Sequence, residues 1–274
     1  MIKVYSEGVE FIKDNLNVLE EYPVELNLFK VNALYMGKCN ELNYCFKVYQ
    51  DYKYLLIVAM DPWNIKLFGD ESLLEECVDF IVERDLKFSR LLCSSNIGTK
   101  FLDLLQRKKN ISYSINFNMT ILHCPKINNY SCEKIEKANE NDVDVLAKYL
   151  YDFQQEALRR NEQTIEELKG VVLGKINNTY IIRKNNKIVS MAMIVRMDEK
   201  SACISEVYTI KEYRGQGLCF KLVSYVTDII IKSGKIAYLF VDNNNPISNK
   251  VYRKIGYVDL IDQVEYQIIP ATNL

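Results

Sequence analysis

Between residues 179 and 210 apolar residues gather in three short β-rich runs, TYIIRK, KIVSMAMIVRM and ACISEVYTI. They are separated by the turn-forming segments KNN and DEKS, which predicts an antiparallel meander. The pattern then changes. In GLCFKLVSYVTDIIIK the residues Leu222, Tyr225, Val226, Ile229 and Ile230 recur at helical spacing and form one apolar stripe. A strand (IAYLFV), a helix (PISNKVYRKI) and a strand (YVDLIDQVEYQII) follow, so the order is βββαβαβ. Ahead of it, NDVDVLAKYLYDFQQEA and EQTIEELKGVVLG have the three-and-four spacing of helices.

The N-terminal half reads in the same order. Strands are predicted near 43–48, 53–60 and 63–68, a helix at 71–85, a strand at 87–93, a helix near 97–108 and a strand at 111–123. Two amphipathic helices precede them, SEGVEFIKDNLNVLEE and PVELNLFKVNALYMGK, with Pro23 at the start of the second. The polar connector at 125–144, opened by Pro125, sets the domain boundary. Domains are expected at 1–130 and 131–274, in an α/β (α+β) class with a mixed, largely antiparallel sheet.

Composition removes several classes of function. A formal net charge of -1 lacks the basic excess that nucleic-acid or membrane surfaces demand. The opening stretch carries charges every few residues and reads as neither signal peptide nor anchor, so a cytoplasmic home is expected. Eight cysteines without C-x-x-C pairs read as reduced thiols, Cys132 among them. The single histidine, His123, makes a zinc site or a His-based triad hard to assemble, so no metal is expected.

Chemistry concentrates where the third run meets the helix, at Arg214-Gly215-Gln216-Gly217-Leu218-Cys219-Phe220. A glycine turn entering a helix presents unpaired N–H groups and the positive end of the helix dipole, which suits a pyrophosphate. Arg214 adds a charge-assisted contact. The turn lacks the Lys-Ser/Thr of a Walker loop and the third small residue of a dinucleotide fingerprint. It resembles instead the R/Q-x-x-G-x-G/A loop of the GNAT acyltransferases, with Cys219 at the final small position. A second block, Asn245-Pro246-Ile247-Ser248-Asn249-Lys250-Val251-Tyr252 through Gly256-Tyr257, resembles that family's N-P-x-(A/S)-x-x-x-Y-x-x-x-G-(F/Y) motif. The wording also resembles the bacterial two-domain GNAT proteins and the glycine N-acyltransferase-like group.

The resemblance implies a GNAT fold, two tandem domains with the N-terminal one degenerate, and acetyl-CoA as co-substrate. It implies that Tyr252 protonates the departing CoA thiolate, and that Glu206 deprotonates the amine directly or through water. It implies that Val207, Tyr208 and Thr209 hydrogen-bond the pantetheine arm through their backbone. Asn245 and Asn249 join the cofactor-binding set, and Asn245 before Pro246 also suits a helix cap. Strand alternation puts Glu206 on one face with Ile204, Tyr208 and Ile210. Tyr252 as a packed core residue and Glu206 as an exposed strand residue remain open.

The corresponding turn of the N-terminal half, Leu67-Phe68-Gly69-Asp70-Glu71-Ser72, has no arginine-glycine loop, and Asp103 stands where tyrosine would. Its acids would repel pyrophosphate. The expected activity is direct acetyl transfer to a primary amine of a small molecule, by a monomer or homodimer. Transfer of another acyl group to an amino-acid acceptor and a non-catalytic CoA-binding sensor are the alternatives.

Overall fold

The structure, a computed structural model, describes residues 1–60, 64–128, 134–158 and 163–270. Cys132 and the first residue of the predicted strand at 63–68 lie outside them. By contacts the chain divides into two compact units, one of residues 1–121, 242–244 and 260–274, the other of residues 122–241 and 245–259.

The first unit opens with β1 (Ile2–Val4), α1 (Gly8–Asp14), α2 (Leu16–Glu21) and α3 (Asn27–Met36). It continues through β2 (Tyr44–Gln50), β3 (Lys53–Ala59), β4 (Ile65–Gly69), α4 (Leu74–Glu83), β5 (Arg90–Cys93), α5 (Ser95–Lys108) and β6 (Ile111–Cys124). β1 was not legible in the sequence, because three residues are too few to show a period. The helix expected at 6–21 is broken at Asn15, whose buried amide donates to the Phe11 carbonyl at 2.8 Å and to the Tyr5 hydroxyl at 3.1 Å. Such a side chain offers the backbone an alternative to the helical ladder. Pro23 does not start the next helix: it sits in a turn closed by the Leu26 N–H on the Tyr22 carbonyl at 3.0 Å, and α3 begins four residues later.

The second unit holds β7 (Glu136–Lys137), α6 (Val143–Phe153), a π-helical turn (Gln154–Leu158), α7 (Ile165–Lys175), β8 (Thr179–Lys184), β9 (Lys187–Met197) and β10 (Ser201–Thr209). Then come α8 (Leu218–Lys232), β11 (Ile236–Asp242), α9 (Pro246–Ile255) and β12 (Val258–Pro270). Its strands lie in the order β11-β10-β9-β8-β7, antiparallel except for β10 with β11. The KNN turn forms a two-residue hairpin in which Asn185 and Asn186 both have positive φ, closed by Lys184 opposite Lys187. Thr164 and Glu167 make a reciprocal capping box at the start of α7.

Most of β12 belongs to the first unit. It pairs antiparallel with β5, setting Val264 against Cys93 and Gln267 against Arg90, and Val264, Tyr266 and Ile268 enter that unit's core with Leu91 and Phe101. The Asn64 amide donates to the Glu265 carboxylate at 3.2 Å, and the Thr120 hydroxyl donates to Asp262 at 2.5 Å. The core of the second unit is built from α6, α7 and α8 against β8 to β11, with Leu146, Leu150, Leu168, Val189, Met191, Leu222 and Val226 buried in it.

Candidate acyl-CoA site

Within the second unit β10 and β11 are paired only over Ser201–Cys203 and Ile236–Tyr238, while β10 runs on to Thr209 and β11 to Asp242. Their continuing stretches therefore lie outside the shared ladder, as a chain inserting between two strands requires. A bulge sits in this stretch of β10. Ser205 faces Met193 and Tyr208 faces Met191, so Glu206 and Val207 together oppose one residue of β9. Glu206 takes a left-handed φ of 52°, which costs a non-glycine residue about 1 kcal/mol or more. The alternation expected for Glu206, Tyr208 and Ile210 is thereby interrupted, because the extra residue breaks the period of two.

Glu206 Oε2 is buried, and the carboxylate acts electrostatically on Arg196 and Cys203. Arg196 and Cys203 are direct cross-strand partners, with guanidinium Nη2 donating to the Cys203 thiol at 3.0 Å. Cys203 in turn faces Tyr238, and the Arg196 guanidinium stands 5.4 Å from the centre of the Phe240 ring. Sequence reading did not single out Arg196. Its place directly opposite Cys203 is a matter of register, and the bulge between Cys203 and Ile204 shifts that register.

β10 ends at Thr209, a 3-10 turn occupies Lys211–Tyr213, and the chain turns through Gly215 (φ 78°) and Gly217 (φ 73°) into α8. A Cβ added at either glycine would meet nothing within 4 Å, so their role is the left-handed backbone, and the turn is open outward. No side chain caps α8. Its first-turn N–H groups, on Leu218, Cys219 and Phe220, have no partner within the helix, and the dipole there is positive. Lys254 of α9 adds charge near this end, its Nζ lying 4.9 Å from the Phe220 ring centre.

Arg214 is tied to its own surroundings. Its Nε donates to the Thr209 carbonyl at 2.8 Å, its Nη2 pairs with Glu156 at 2.7 Å, and its guanidinium stands over the Tyr208 ring at 5.4 Å. Lys211 reaches the same carboxylate at 3.3 Å. Burial works against the charge on Glu156, but Arg214 and Lys211 outweigh it and hold its pKa below the usual value. Glu156 lies in the π-helical turn, and nothing in its sequence neighbourhood marked it. Of the three residues expected to hydrogen-bond an extended ligand, two carbonyls already accept from the protein: Tyr208 from the Ser190 hydroxyl at 3.2 Å, and Thr209 from Arg214. Burial pushes the Tyr208 phenol up to about 12.

α9 carries the second block. Asn245 is its N-cap, with the side-chain oxygen accepting from the Ser248 N–H at 3.1 Å and Pro246 in the first turn. The Asn249 amide folds back to the Asn245 carbonyl at 2.8 Å. Tyr252 is 7% exposed, and its ring lies 6.1 Å from that of Tyr257. Burial raises its pKa well above the ordinary phenol value, the Cys219 thiol raises it further, and a hydrogen bond with Ser248 works the other way. Cys219, in the first turn of α8, packs against the same core as Tyr252. The helix ends at Gly256 (φ 129°), where a Cβ would lie 2.2 Å from the Lys126 carbonyl oxygen. Only glycine permits that approach, which lets the Asn128 N–H cap the Ile255 carbonyl at 2.7 Å.

The matching turn of the first unit supplies its own anion. Asp70 caps the 3-10 turn before α4, accepting from the Ser72 N–H at 2.9 Å and from its hydroxyl at 2.6 Å, and these bonds hold its pKa low. A second anion there meets repulsion. Among the described residues no cluster of three His, Cys, Asp or Glu side chains could hold a metal, and no helix is long and apolar enough to cross a membrane.

Residues 144–257 match the acetyltransferase (GNAT) family. No curated protein matches the chain. Among solved structures it is similar to an acetyltransferase from the GNAT family of Colwellia psychrerythraea, with TM-score 0.63 and 12% identity over 97% of this chain and 99% of that one. A Drosophila protein aligns with TM-score 0.67 and 11% identity over 98% of each chain. A GCN5-related N-acetyltransferase from Sphaerobacter thermophilus aligns with TM-score 0.59 and 12% identity over 100% of this chain and 97% of that one. At such identities the likeness is one of fold: this is the GNAT fold, shared along nearly the whole chain.

Proposed function

We infer that this chain, which carries a domain of the acetyltransferase (GNAT) family at residues 144–257, transfers the acetyl group of acetyl-CoA to a primary amine of a small molecule. One observation supports the reading above all: the uncapped glycine turn leads into α8, whose Cys219 packs against the same core as the buried Tyr252 of α9. An anion site alone would bind many phosphates. An anion site beside a protonated phenol suits a phosphorylated donor whose leaving group needs a proton.

In this reading the N–H groups of residues 215–220 hold the pyrophosphate, with Lys254 adding charge. The pantetheine arm runs along Val207–Thr209, where β10 leaves its ladder with β11. The amine nitrogen attacks the thioester carbonyl directly, and Glu206, through water or directly, takes its proton. The carbon–sulfur bond then breaks, and Tyr252 protonates the thiolate. Asn245 and Asn249 set the start of α9, and so the place of Tyr252 one helix away from the turn.

The test is free-thiol release from acetyl-CoA against a panel of primary amines. Thiol should appear in proportion to acetylated amine and only when an acceptor is present. Tight CoA binding with no release on any amine would leave a CoA-binding module without turnover and sink the reading.

A further inference from the structure

We propose that Cys39 and Cys45 of the first unit form an oxidative modification site, in which Cys39 reacts with a hydroperoxide and Cys45 resolves the product to a disulfide. This is independent of the acyl-CoA site. Cys39 lies in the loop after α3 and is half-buried, whereas Cys45, the second residue of β2, is fully buried. Their sulfurs are 3.6 Å apart, and Met36 Sδ lies 3.7 Å from Cys39. A disulfide needs about 2.05 Å between sulfurs, so side-chain rotation has only about 1.5 Å to close.

The two thiols are unlike in the way the chemistry needs. The hydrogen bond between the two thiols lowers the pKa of Cys39, although burial, Glu10 and Glu7 oppose the shift. Cys45 is raised by the same contact and by burial. The more accessible Cys39 is therefore the nucleophile, and the fully buried Cys45 keeps its proton until a partner appears. Access is present: a cavity of about 730 Å³ is lined by Cys39 and Cys45 with Lys38, Tyr44, Phe80 and Arg84. The other described thiols differ. Burial pushes Cys124 up to about 11 and Cys219 to about 12, and raises Cys77, Cys93 and Cys203, the last against the opposing pull of Arg196.

The steps balance. The Cys39 thiolate attacks one peroxide oxygen, the O–O bond breaks, and hydroxide leaves with the bonding pair, giving a sulfenic acid. Cys45 then loses its proton to that hydroxide and attacks the Cys39 sulfur. The S–O bond breaks, and the departing oxygen leaves as a second water once protonated. One peroxide is reduced, two thiols are oxidised, and a dithiol reductant reverses the bond.

The full chain should be treated with a slight excess of hydrogen peroxide, quenched with an alkylating agent, and digested without reduction. Peptides joined through Cys39 and Cys45 should form first, while the other thiols are alkylated, and dithiothreitol should restore both. In Cys45→Ser, dimedone should capture a sulfenic acid on Cys39. In Cys39→Ser, peroxide consumption should fall roughly tenfold or more. Oxidation of another thiol ahead of Cys39 would overturn the proposal. So would a Cys39 that stops at sulfinic acid in the wild-type chain, or an unchanged rate in Cys39→Ser.

Discussion

Tyr252 is buried, and burial raises its pKa above the ordinary phenol value, so it carries the proton that the proposed acid role would deliver. Replacing it with Phe removes the proton but keeps the ring packed near Tyr257. Tyr252→Phe should therefore lower kcat by about 10²-fold or more and leave CoA affinity nearly unchanged, read by steady-state kinetics beside direct CoA titration. An equal loss of affinity would mean that Tyr252 holds the donor and does not act on the leaving group. Gly217 lends itself to a complementary test. With φ at 73°, an added Cβ strains the backbone by about 1–2 kcal/mol although the space is open. Gly217→Ala should weaken CoA binding with little effect on kcat; undiminished affinity would place the pyrophosphate elsewhere.

Among the elements, the π-helical turn Gln154–Leu158 stands out, because it sets a carboxylate on the cations next to the glycine turn. π-turns interrupt helices mostly at functional positions. Glu156 competes with any anion for Arg214 and Lys211, so Glu156→Gln should tighten CoA binding. The pair is partly exposed and screened, which limits the gain to about 0.2–1 kcal/mol, roughly fivefold at most, and the gain should shrink at high salt. Weaker binding in the variant would show that Glu156 orients Arg214 and does not compete with the ligand. A second ionic contact belongs to the first unit: Asp14, at the end of α1, accepts from Lys3 at 2.6 Å, Lys47 at 2.9 Å and the Tyr5 hydroxyl at 2.5 Å. These bonds hold its pKa well below the usual carboxylate range. A depressed folded-state value means stability that is present above about pH 4 and lost as pH falls further. In acid unfolding followed by circular dichroism, Asp14→Asn should flatten that loss; an unchanged acid limb would assign it to other carboxylates.

At the scale of the molecule, burial raises the phenols of Tyr44, Tyr238, Tyr252 and Tyr257. Raised folded-state values mean that the unfolded chain releases these protons first, so stability is intact below about pH 10 and falls as pH rises beyond it. Tyrosinate absorbance should then appear together with loss of circular dichroism; earlier ionisation of these phenols would contradict their burial. The βββαβαβ order of the C-terminal half, the glycine turn, the N-P-x-S to tyrosine spacing and the contrast with Asp70 were legible in the sequence, because each depends on neighbours within a turn or two. The KNN hairpin was legible for the same reason, its two asparagines tolerating positive φ. Other features depend on which segments meet. The bulge at Glu206 follows from the register of β10 against β9, and Arg196 comes opposite Cys203 only through that register. Glu156 reaches Arg214 across 58 residues of chain, and β12 spends most of its length completing the first unit. Alternation and helical spacing report which face of an element is apolar. They are blind to partner and register, which depend on the packing of segments far apart in the chain, and so the type of chemistry was written locally while its neighbours were decided by the tertiary structure.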